Sequence, residues 1–273
     1  MIDDPAARPL AGRVALVTGA GGDIGAEIAV RLASSHALVV VADLGSPEGK
    51  LEAVVARCSE AGTKSAVAAE FDVSDEGAVH AAIERIVGEL GTPSIVVNCA
   101  GVQGPFAPTH LHPMEAAGVV LEVNVAGVLG VMAAASNAMI TESTGGSIVN
   151  LASMAGVGAA PNMLAYSASK GAVIAATRTA AKDLGPHRIR VNAVSPAFIG
   201  PGAMWDRQVA LQAETESRWF GDDPGSVAEQ MIGQVALGRY GSLAEVASVV
   251  HFLASDESSY VSGVNIEVAG GPM

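Results

Sequence analysis

Six short runs of hydrophobic, often β-branched residues recur along the chain, and they limit its possible folds more than any other feature. Within each run the hydrophobic residues are continuous rather than alternating with polar ones. This pattern is typical of strands that are buried on both faces of a parallel sheet. The runs are VALVTG (14–19), ALVVVAD (37–43), SAVAAEFD (65–72), SIVVNCAG (94–101), GSIVNLAS (146–153) and IRVNAVSP (189–196), and a last strand, VNIEVAG, is expected near the C-terminal end.

Alanine-rich segments separate these runs, and their length and composition predict helices. Strands that alternate with helices indicate a doubly wound, parallel α/β sheet of about seven strands with helices on both faces. We find no linker, low-complexity tract or short repeat, so residues 1–273 are expected to form a single domain. The predicted helices span residues 24–35, 47–61, 75–90, 112–141, 162–184 and 243–254.

The connection between the sixth run and the helix predicted from residue 243 is long and contains both tryptophans. Such a connection inside a compact domain is usually functional. We therefore expect residues 197–240 to form a substrate lid, and a helical insertion that serves only an oligomer contact is the alternative. The large side chains of this predicted lid are Met204, Trp205, Trp219, Phe220 and Met231.

Composition and charge argue against several classes of protein. Hydrophobic residues make up 50% of the chain. No stretch, however, has the ~18 uninterrupted apolar residues that a membrane span needs. The best candidate, residues 119–140, contains Glu122 and Asn124 and is interpreted as a helix buried in protein. The net charge of −13 disfavours nucleic acid and anionic membranes as partners.

The same data predict a cytoplasmic protein. The N-terminal segment MIDDPAARPLAGR is acidic and lacks the apolar region of a secretory signal. Cys58 and Cys99 are too few for a disulfide framework and are expected to be reduced thiols. The six histidines show no metal-ligand grouping, so we expect no catalytic metal.

The first run leads into a glycine-rich turn, TGAGGDIG, and then into a predicted helix. Such a turn lets the backbone approach a pyrophosphate, and the helix N-terminus supplies free N–H groups and a positive dipole. Asp43 ends the second run, where a carboxylate can accept hydrogen bonds from the adenosine ribose and repel a 2′-phosphate. Leu44 and Gly45 follow, so no basic residue comes next. The sequence therefore predicts NAD rather than NADP as the cofactor.

The segment MLAYSASKGAV places Tyr166 four residues before Lys170, on one side of a predicted helix. A phenol with its ordinary pKa of about 10 is a poor base at neutral pH. The neighbouring Lys170 ammonium and the nicotinamide cation of the oxidised cofactor both favour the phenolate, so we expect the pKa of Tyr166 to fall in that complex.

TGAGGDIG, NCAG, NLAS and YSASK, in this order and at these separations, resemble the motifs of the short-chain dehydrogenase/reductase family. The resemblance extends from about Gly12 to Gly271. It implies a Rossmann-type domain, a nicotinamide cofactor and hydride transfer between an alcohol and a carbonyl compound. It also favours a homotetramer, in which the small residues of YSASKGAVIAATRTAAKDL would let helices of two copies approach closely.

The resemblance implies roles for four catalytic residues. Tyr166 would exchange a proton with the substrate oxygen, and Lys170 would tune the phenol and bind the nicotinamide ribose. Ser153 would hydrogen-bond the reacting oxygen and stabilise its developing charge. Asn124 would hold a water next to the lysine, and a structural role for its amide is the alternative.

The resemblance also implies which residues contact the cofactor. Asn98 is expected to hold neighbouring strands together while its loop lines the cofactor cleft. Asp72 and Val73 would contact the adenine, and a plain strand-to-helix cap is the alternative for this pair. The full predicted set is Gly19, Asp23, Ile24, Asp43, Leu44, Asp72, Val73, Asn98, Ala100, Gly101, Tyr166, Lys170, Pro196 and Ile199.

Three positions depart from the family pattern. Asp23 stands where the glycine turn usually has its middle glycine, and we expect its side chain to turn away from the phosphates. Ala197 follows Pro196 where a glycine is usual, and Pro201 replaces a common threonine. The nicotinamide contacts around Ile199 are therefore the part of the pattern that this chain changes most.

These observations predict an NAD-dependent oxidoreductase that interconverts a secondary alcohol and its ketone, with a polyol or a hydroxy acid among the candidates. A 3-oxoacyl-carrier-protein reductase is the nearest alternative, although Asp43 and the net charge of −13 disfavour it. A non-catalytic dinucleotide-binding regulatory protein is the alternative of another class.

Overall fold

The structure is a computed structural model that describes residues 9–45, 49–62, 66–215 and 217–271. Among these residues, seven strands form one sheet in the order β3-β2-β1-β4-β5-β6-β7, and every neighbouring pair is parallel. The predicted fold class is therefore confirmed. The strands are β1 (Val14–Thr18), β2 (Leu38–Asp43), β3 (Val67–Glu70), β4 (Pro93–Asn98), β5 (Gly146–Leu151), β6 (Ile189–Pro196) and β7 (Asn265–Val268).

Helices cover both faces of the sheet. One face packs against α1, α2 and α9, and the other packs against α3, α5 and α6. The helices are α1 (Asp23–Ser34), α2 (Lys50–Ala61), α3 (Glu76–Leu90), α4 (Met114–Leu121), α5 (Val128–Thr141), α6 (Leu164–Leu184), α7 (Ala203–Glu214), α8 (Pro224–Ile232) and α9 (Leu243–Ala254).

The strands are continuously hydrophobic because both of their faces are buried. Successive side chains of a strand point to opposite faces of the sheet. In β2, Val39 and Val41 pack with the cluster that contains Leu32 of α1, whereas Val40 packs with Ile83 of α3 on the other face. All three valines are fully buried.

Several predicted strands end earlier than the hydrophobic runs, and the remaining residues form loops at the carboxyl edge of the sheet. The fourth strand ends at Asn98 because the Thr18 hydroxyl accepts the N–H groups of Cys99 and Ala100, at 3.2 and 3.3 Å. The fifth ends at Leu151, which leaves Ser153 in the loop beyond the strand. Ser65 of the third run and positions 47–48 of the second predicted helix lie outside the described residues.

The helix predicted over residues 112–141 is interrupted. It begins at Met114, and a π-helical segment, Glu122–Gly127, separates α4 from α5. By length and composition alone, Met114–Thr141 could cross a membrane, with a mean hydropathy of 1.9 in a window that is 39% buried. Its inner side packs on the sheet and α3, while Val119 and Leu129 are exposed. The interpretation as a helix buried in protein therefore holds for its inner side within this chain.

Residues 197–240 contain α7 and α8, which share a small apolar core of their own. Trp205 and Val209 of α7 pack against Val227 and Met231 of α8. The Trp205 ring also lies 5.9 Å from the Tyr240 ring, centroid to centroid. This pair of helices stands over the carboxyl edge of the sheet, where the site lies.

Candidate active site

A cavity of about 540 Å³ lies at the carboxyl ends of the strands. Asp43 at the end of β2 and Asp72 just beyond β3 line it on one side. Ser153 just beyond β5 and Pro196 at the end of β6 line it on the other. The cavity therefore crosses the point between β1 and β4 where the strand order reverses. Ligands of open α/β sheets bind at this switch point.

Tyr166 and Lys170 reach the cavity from the first two turns of α6. The Lys170 ammonium lies 5.7 Å from the centroid of the Tyr166 ring, and it donates a hydrogen bond to the Leu151 carbonyl at 2.8 Å. That bond fixes the buried lysine to the end of β5. The phenol, the ammonium and the end of the fifth strand thus form one unit.

Ser153 reaches the same place from a short 3₁₀ turn, Met154–Gly156, which follows β5. Its hydroxyl accepts the Ala155 N–H at 3.2 Å and so caps the turn. A Cβ at Gly156 would lie 2.5 Å from the Lys170 carbonyl carbon, so a glycine there lets the turn pack on α6. The serine hydroxyl is thereby held close to the phenol.

Asn124 lies behind the cavity wall, inside the π-helical segment. Its amide oxygen accepts the Val102 N–H at 2.8 Å, and its NH2 donates to the Val102 carbonyl and to the Ser169 hydroxyl. A Cβ at Gly101 would lie 3.1 Å from the Asn124 oxygen and 3.5 Å from the Lys170 nitrogen. The missing side chain of Gly101 therefore keeps a gap between the amide and the ammonium.

The electrostatics of the pair differ from the sequence-based expectation. Burial raises the pKa of Tyr166 above 10, a hydrogen bond with Ser153 lowers it in part, and the nearby Cys99 raises it further. Burial also lowers the pKa of Lys170 to about 8, against an opposing effect of Cys99. In the protein without cofactor the expected fall in the pKa of Tyr166 does not occur, because desolvation by burial is the largest effect on the phenol.

The glycine turn is tied to Asp43. Gly19 has a φ of +66°, and a Cβ there would lie 2.6 Å from the Ala100 backbone, so only glycine fits. The Asp43 carboxylate accepts the Gly21 N–H at 2.7 Å and the Leu44 N–H at 2.8 Å. These bonds orient the carboxylate at the end of β2. Lys50, at the start of α2, also lines this end of the cavity, and the sequence reasoning missed it.

Most of the predicted cofactor residues lie together in the cavity wall. Asp72 lines it too, and its carboxylate accepts the N–H and the hydroxyl of Ser74, at 2.8 and 2.7 Å, whereas α3 is capped by Asp75. The cavity-lining members of the predicted set are Gly19, Asp23, Ile24, Asp43, Leu44, Asp72, Val73, Ala100, Gly101, Tyr166, Lys170, Pro196 and Ile199.

Asn98 is the exception among the predicted cofactor residues. Its amide NH2 donates to Asn150 of β5 at 2.8 Å, and the Asn150 NH2 donates to the Thr177 hydroxyl of α6 at 2.9 Å. Asn98 is buried between strands and does not line the cavity. Its side chain therefore links β4, β5 and α6, and only the loop that follows it belongs to the site.

The residues that line the cavity fit a dinucleotide. The turn between β1 and α1 carries no bulky side chain, and the N-cap residue of α1, Gly22, makes no side-chain cap. The first N–H groups of α1 are therefore not capped by that residue, and such groups bind phosphate. The Asp23 carboxylate is turned from this end of α1 to the Ala203 N–H, 3.1 Å away.

A group of amide side chains that the sequence analysis missed forms a polar wall of the cavity beside α7. The Arg207 guanidinium donates to the Gln103 oxygen at 2.9 Å, and the Gln103 NH2 donates to the Gln208 oxygen at 3.1 Å. Farther along α7, the Gln212 side-chain oxygen accepts a hydrogen bond from the Asn162 NH2 at 2.8 Å. No motif marks these residues, because they come from three separate segments of the chain.

The large side chains of residues 197–240 line the cavity as predicted, except at one residue. Met204, Trp205, Phe220 and Met231 line the cavity. Trp219 is 57% exposed instead, and the Arg218 guanidinium lies 4.6 Å from its ring centroid. Across residues 9–45, 49–62, 66–215 and 217–271, no three His, Cys, Asp or Glu side chains are grouped so as to hold a metal ion.

Comparison with known proteins places the chain in a family. The model of a family described as enoyl-(acyl carrier protein) reductase matches residues 19–272. The (3R)-3-hydroxyacyl-CoA dehydrogenase of Canis lupus familiaris is 34% identical over 264 residues, which cover 94% of this chain and 95% of that protein. The 3-oxoacyl-(acyl-carrier-protein) reductase of Staphylococcus aureus is 35% identical over 257 residues, with coverages of 94% and 96%.

Solved structures agree with this placement. An NAD+-bound xylitol dehydrogenase has a TM-score of 0.93 and 47% identity, covering 96% of this chain and 99% of that chain. A carveol dehydrogenase from Mycobacterium avium in complex with NAD has a TM-score of 0.86 and 30% identity, with coverages of 96% and 98%. The chain therefore belongs to the short-chain dehydrogenase/reductase family, as its four motifs indicated, and it is an oxidoreductase.

The direction of the Tyr166 pKa shift can be tested by ultraviolet titration of the protein without cofactor. Because burial disfavours the phenolate, the unchanged protein and Tyr166→Phe should gain the same phenolate absorbance up to pH 10. The unchanged protein should gain additional absorbance only above that pH. Circular dichroism at each pH checks that both proteins stay folded. A difference between the two titrations well below pH 10 would contradict the assigned direction.

Proposed function

We propose that the protein is an NAD-dependent dehydrogenase that interconverts a secondary alcohol, with a polyol as the favoured class, and the corresponding ketone. The observation that supports this proposal is that two sets of residues line the same cavity. Tyr166, Lys170 and Ser153 lie at one part of it, and the glycine turn with Asp43 lies at another. A dinucleotide and a small alcohol could therefore occupy the cavity together.

The proton step is assigned to Tyr166. Its phenolate removes the hydroxyl proton of the alcohol during oxidation, and the phenol returns a proton during reduction. Ser153 donates a hydrogen bond to the substrate oxygen and opposes the charge that develops there. Bound NAD would supply the hydride acceptor, and the positive charge of its oxidised ring would favour the Tyr166 phenolate.

Lys170 and Asn124 are proposed to support this step. Lys170 donates one hydrogen bond to the Leu151 carbonyl, so two of its three N–H donors remain, one for the nicotinamide ribose hydroxyls and one for a water. The gap beside Gly101, between the Asn124 oxygen and the Lys170 nitrogen, is suited to a bridging water. In this way Asn124 would link the ammonium to a proton path.

Asp43 supports NAD over NADP. Both oxygens of its carboxylate already accept backbone N–H groups, and each can accept a second donor from the adenosine ribose. A 2′-phosphate would meet this negative charge at close range, whereas Lys50 supplies a positive charge at the same end. We propose that the oriented carboxylate decides the preference, and the similar xylitol dehydrogenase and carveol dehydrogenase structures both hold NAD.

The polar wall of the lid favours a polyol. The Arg207 guanidinium only donates hydrogen bonds, so the Gln103 oxygen must face it and the Gln103 NH2 must face Gln208. Gln208 then uses its oxygen for Gln103, and its NH2 makes no hydrogen bond within the described residues. This donor is available to a hydroxyl oxygen of a substrate in the cavity that Gln208 lines.

The alternatives are disfavoured by the same wall. An acyl chain at Gln208 would leave the amide unpaired, a loss of about 1–3 kcal/mol. The hydroxyacyl-CoA and oxoacyl-carrier relatives are 34–35% identical, whereas the xylitol dehydrogenase structure is 47% identical. The complete set of Tyr166, Lys170 and Ser153 disfavours a non-catalytic dinucleotide-binding protein.

We also propose that the chain forms one domain, in which residues 197–240 act as the substrate lid. The protein is proposed to be cytoplasmic and to assemble into a homotetramer. The exposed side of α4 and α5, with Val119 and Leu129, is apolar enough to be covered by a second copy. Sedimentation equilibrium at micromolar concentration should give about four times the 27.3 kDa of one chain. A species of 27.3 kDa would reject the tetramer.

The proposed reaction is tested by NAD(P)H absorbance with a panel of substrates. The panel contains xylitol and other polyols, unbranched secondary alcohols, hydroxy acids and (3R)-hydroxyacyl thioesters, each with NAD and with NADP. The highest kcat/KM is expected for a polyol with NAD. A higher value for a hydroxyacyl thioester with NADP would replace the proposal by the acyl-reductase alternative.

Two variants of Gln208 test the proposed NH2 donor in the same assay. Gln208→Leu removes the amide, whereas Gln208→Glu keeps an acceptor for Gln103 and loses the NH2 donor. Both should lower kcat/KM for the polyol roughly tenfold or more and change that of a 2-alkanol far less. If Gln208→Glu keeps full activity on the polyol, Gln208 only holds Gln103 in place and the donor role is wrong.

A further inference from the structure

Helix α7 begins without a cap of its own. Its N-cap residue is Gly202, which has no side chain to accept one of the free N–H groups at the helix start. The Asp23 carboxylate, 180 residues earlier in the chain, caps the helix instead. Its Oδ2 accepts the Ala203 N–H at 3.1 Å. Asp23 is the first residue of α1, directly after the glycine turn.

The two segments approach so closely that a side chain at position 202 would displace the Asp23 carboxylate. A Cβ at Gly202 would lie 2.7 Å from Asp23 Oδ2. The carboxylate also brings a negative charge to the positive end of the α7 dipole, where such a charge is stabilising. Both the shape and the charge of this contact therefore favour an aspartate on α1 and a glycine before α7.

The helix that Asp23 caps forms a wall of the cavity. Met204, Trp205, Gln208 and Gln212 of α7 all line it. The later turns of α7 are held by Arg207 on Gln103 and by Gln212 on Asn162. The start of the first turn is held by the hydrogen bond from the Ala203 N–H to the Asp23 carboxylate.

We propose that Asp23 is a positioning residue for the substrate, which caps α7 and so ties the lid wall to the turn that would hold the cofactor pyrophosphate. It explains why this chain has an aspartate where the glycine turn of its family usually has a glycine. The part that concerns substrate binding rests on the proposed function, whereas the capping of α7 does not. The competing account is that Asp23 only repels the pyrophosphate.

Two variants separate these accounts. Asp23→Gly removes the cap, and Asp23→Asn keeps an oxygen acceptor while it removes the charge. Hydrogen–deuterium exchange of the free protein is followed for peptides covering residues 203–214, with peptides of α3 (Glu76–Leu90) as an internal reference. Exchange at the start of α7 should rise roughly fivefold in Asp23→Gly and stay close to that of the unchanged protein in Asp23→Asn.

The kinetic and binding measurements complete the test. Asp23→Gly should raise the KM for the alcohol roughly fivefold, without a matching loss of NAD affinity measured by titration calorimetry. Equal gains of NAD affinity in both variants, with unchanged exchange of residues 203–214, would overturn the proposal in favour of simple repulsion. The exchange experiment needs no turnover, so it decides the capping of α7 even if the alcohol is not a substrate.

Discussion

The rest of the site depends on the junction between β1 and β4, the two strands at which the sheet reverses its order. The N–H groups of Cys99 and Ala100 donate to the Thr18 hydroxyl instead of to a neighbouring strand. Gly19 packs directly on Ala100. The two loops therefore separate beyond this contact and leave the cavity between them. The glycine turn, Asp43 and the loop of Gly101 all take their positions from it.

A second constraint is the burial of both titratable groups of the site. Burial disfavours the charged forms, so the pKa of Tyr166 is raised and that of Lys170 is lowered to about 8. The free protein therefore holds a protonated phenol at neutral pH. In the proposed mechanism the phenolate becomes accessible only when a positive charge enters the cavity with the cofactor. Proton removal would then be coupled to the presence of the hydride acceptor.

The sequence predicted those parts of the structure that depend on neighbouring residues. Continuous hydrophobic runs predicted the strands, and the four-residue spacing of Tyr166 and Lys170 predicted that they share a helix face. The amides Gln103 and Gln208 of the cavity wall were missed because only the packing of α7 brings them together. The predicted direction of the Tyr166 pKa shift does not hold for the free protein. The presence of a nearby lysine can be inferred from spacing, whereas the cost of burial cannot. The side chain of Asn98 links neighbouring strands, as expected, so only the loop after it belongs with the cofactor contacts.

The central claim is that Tyr166 performs the proton step of an NAD-linked alcohol oxidation. It is tested most directly by the rate of NADH formation by Tyr166→Phe on the best alcohol, with NADH binding measured by fluorescence. Tyr260→Phe is the matched control, because that tyrosine is fully exposed. The account predicts a loss of roughly a hundredfold or more in kcat for Tyr166→Phe, with NADH binding retained and Tyr260→Phe unaffected. A Tyr166→Phe protein that turns over at the rate of the unchanged protein would contradict it.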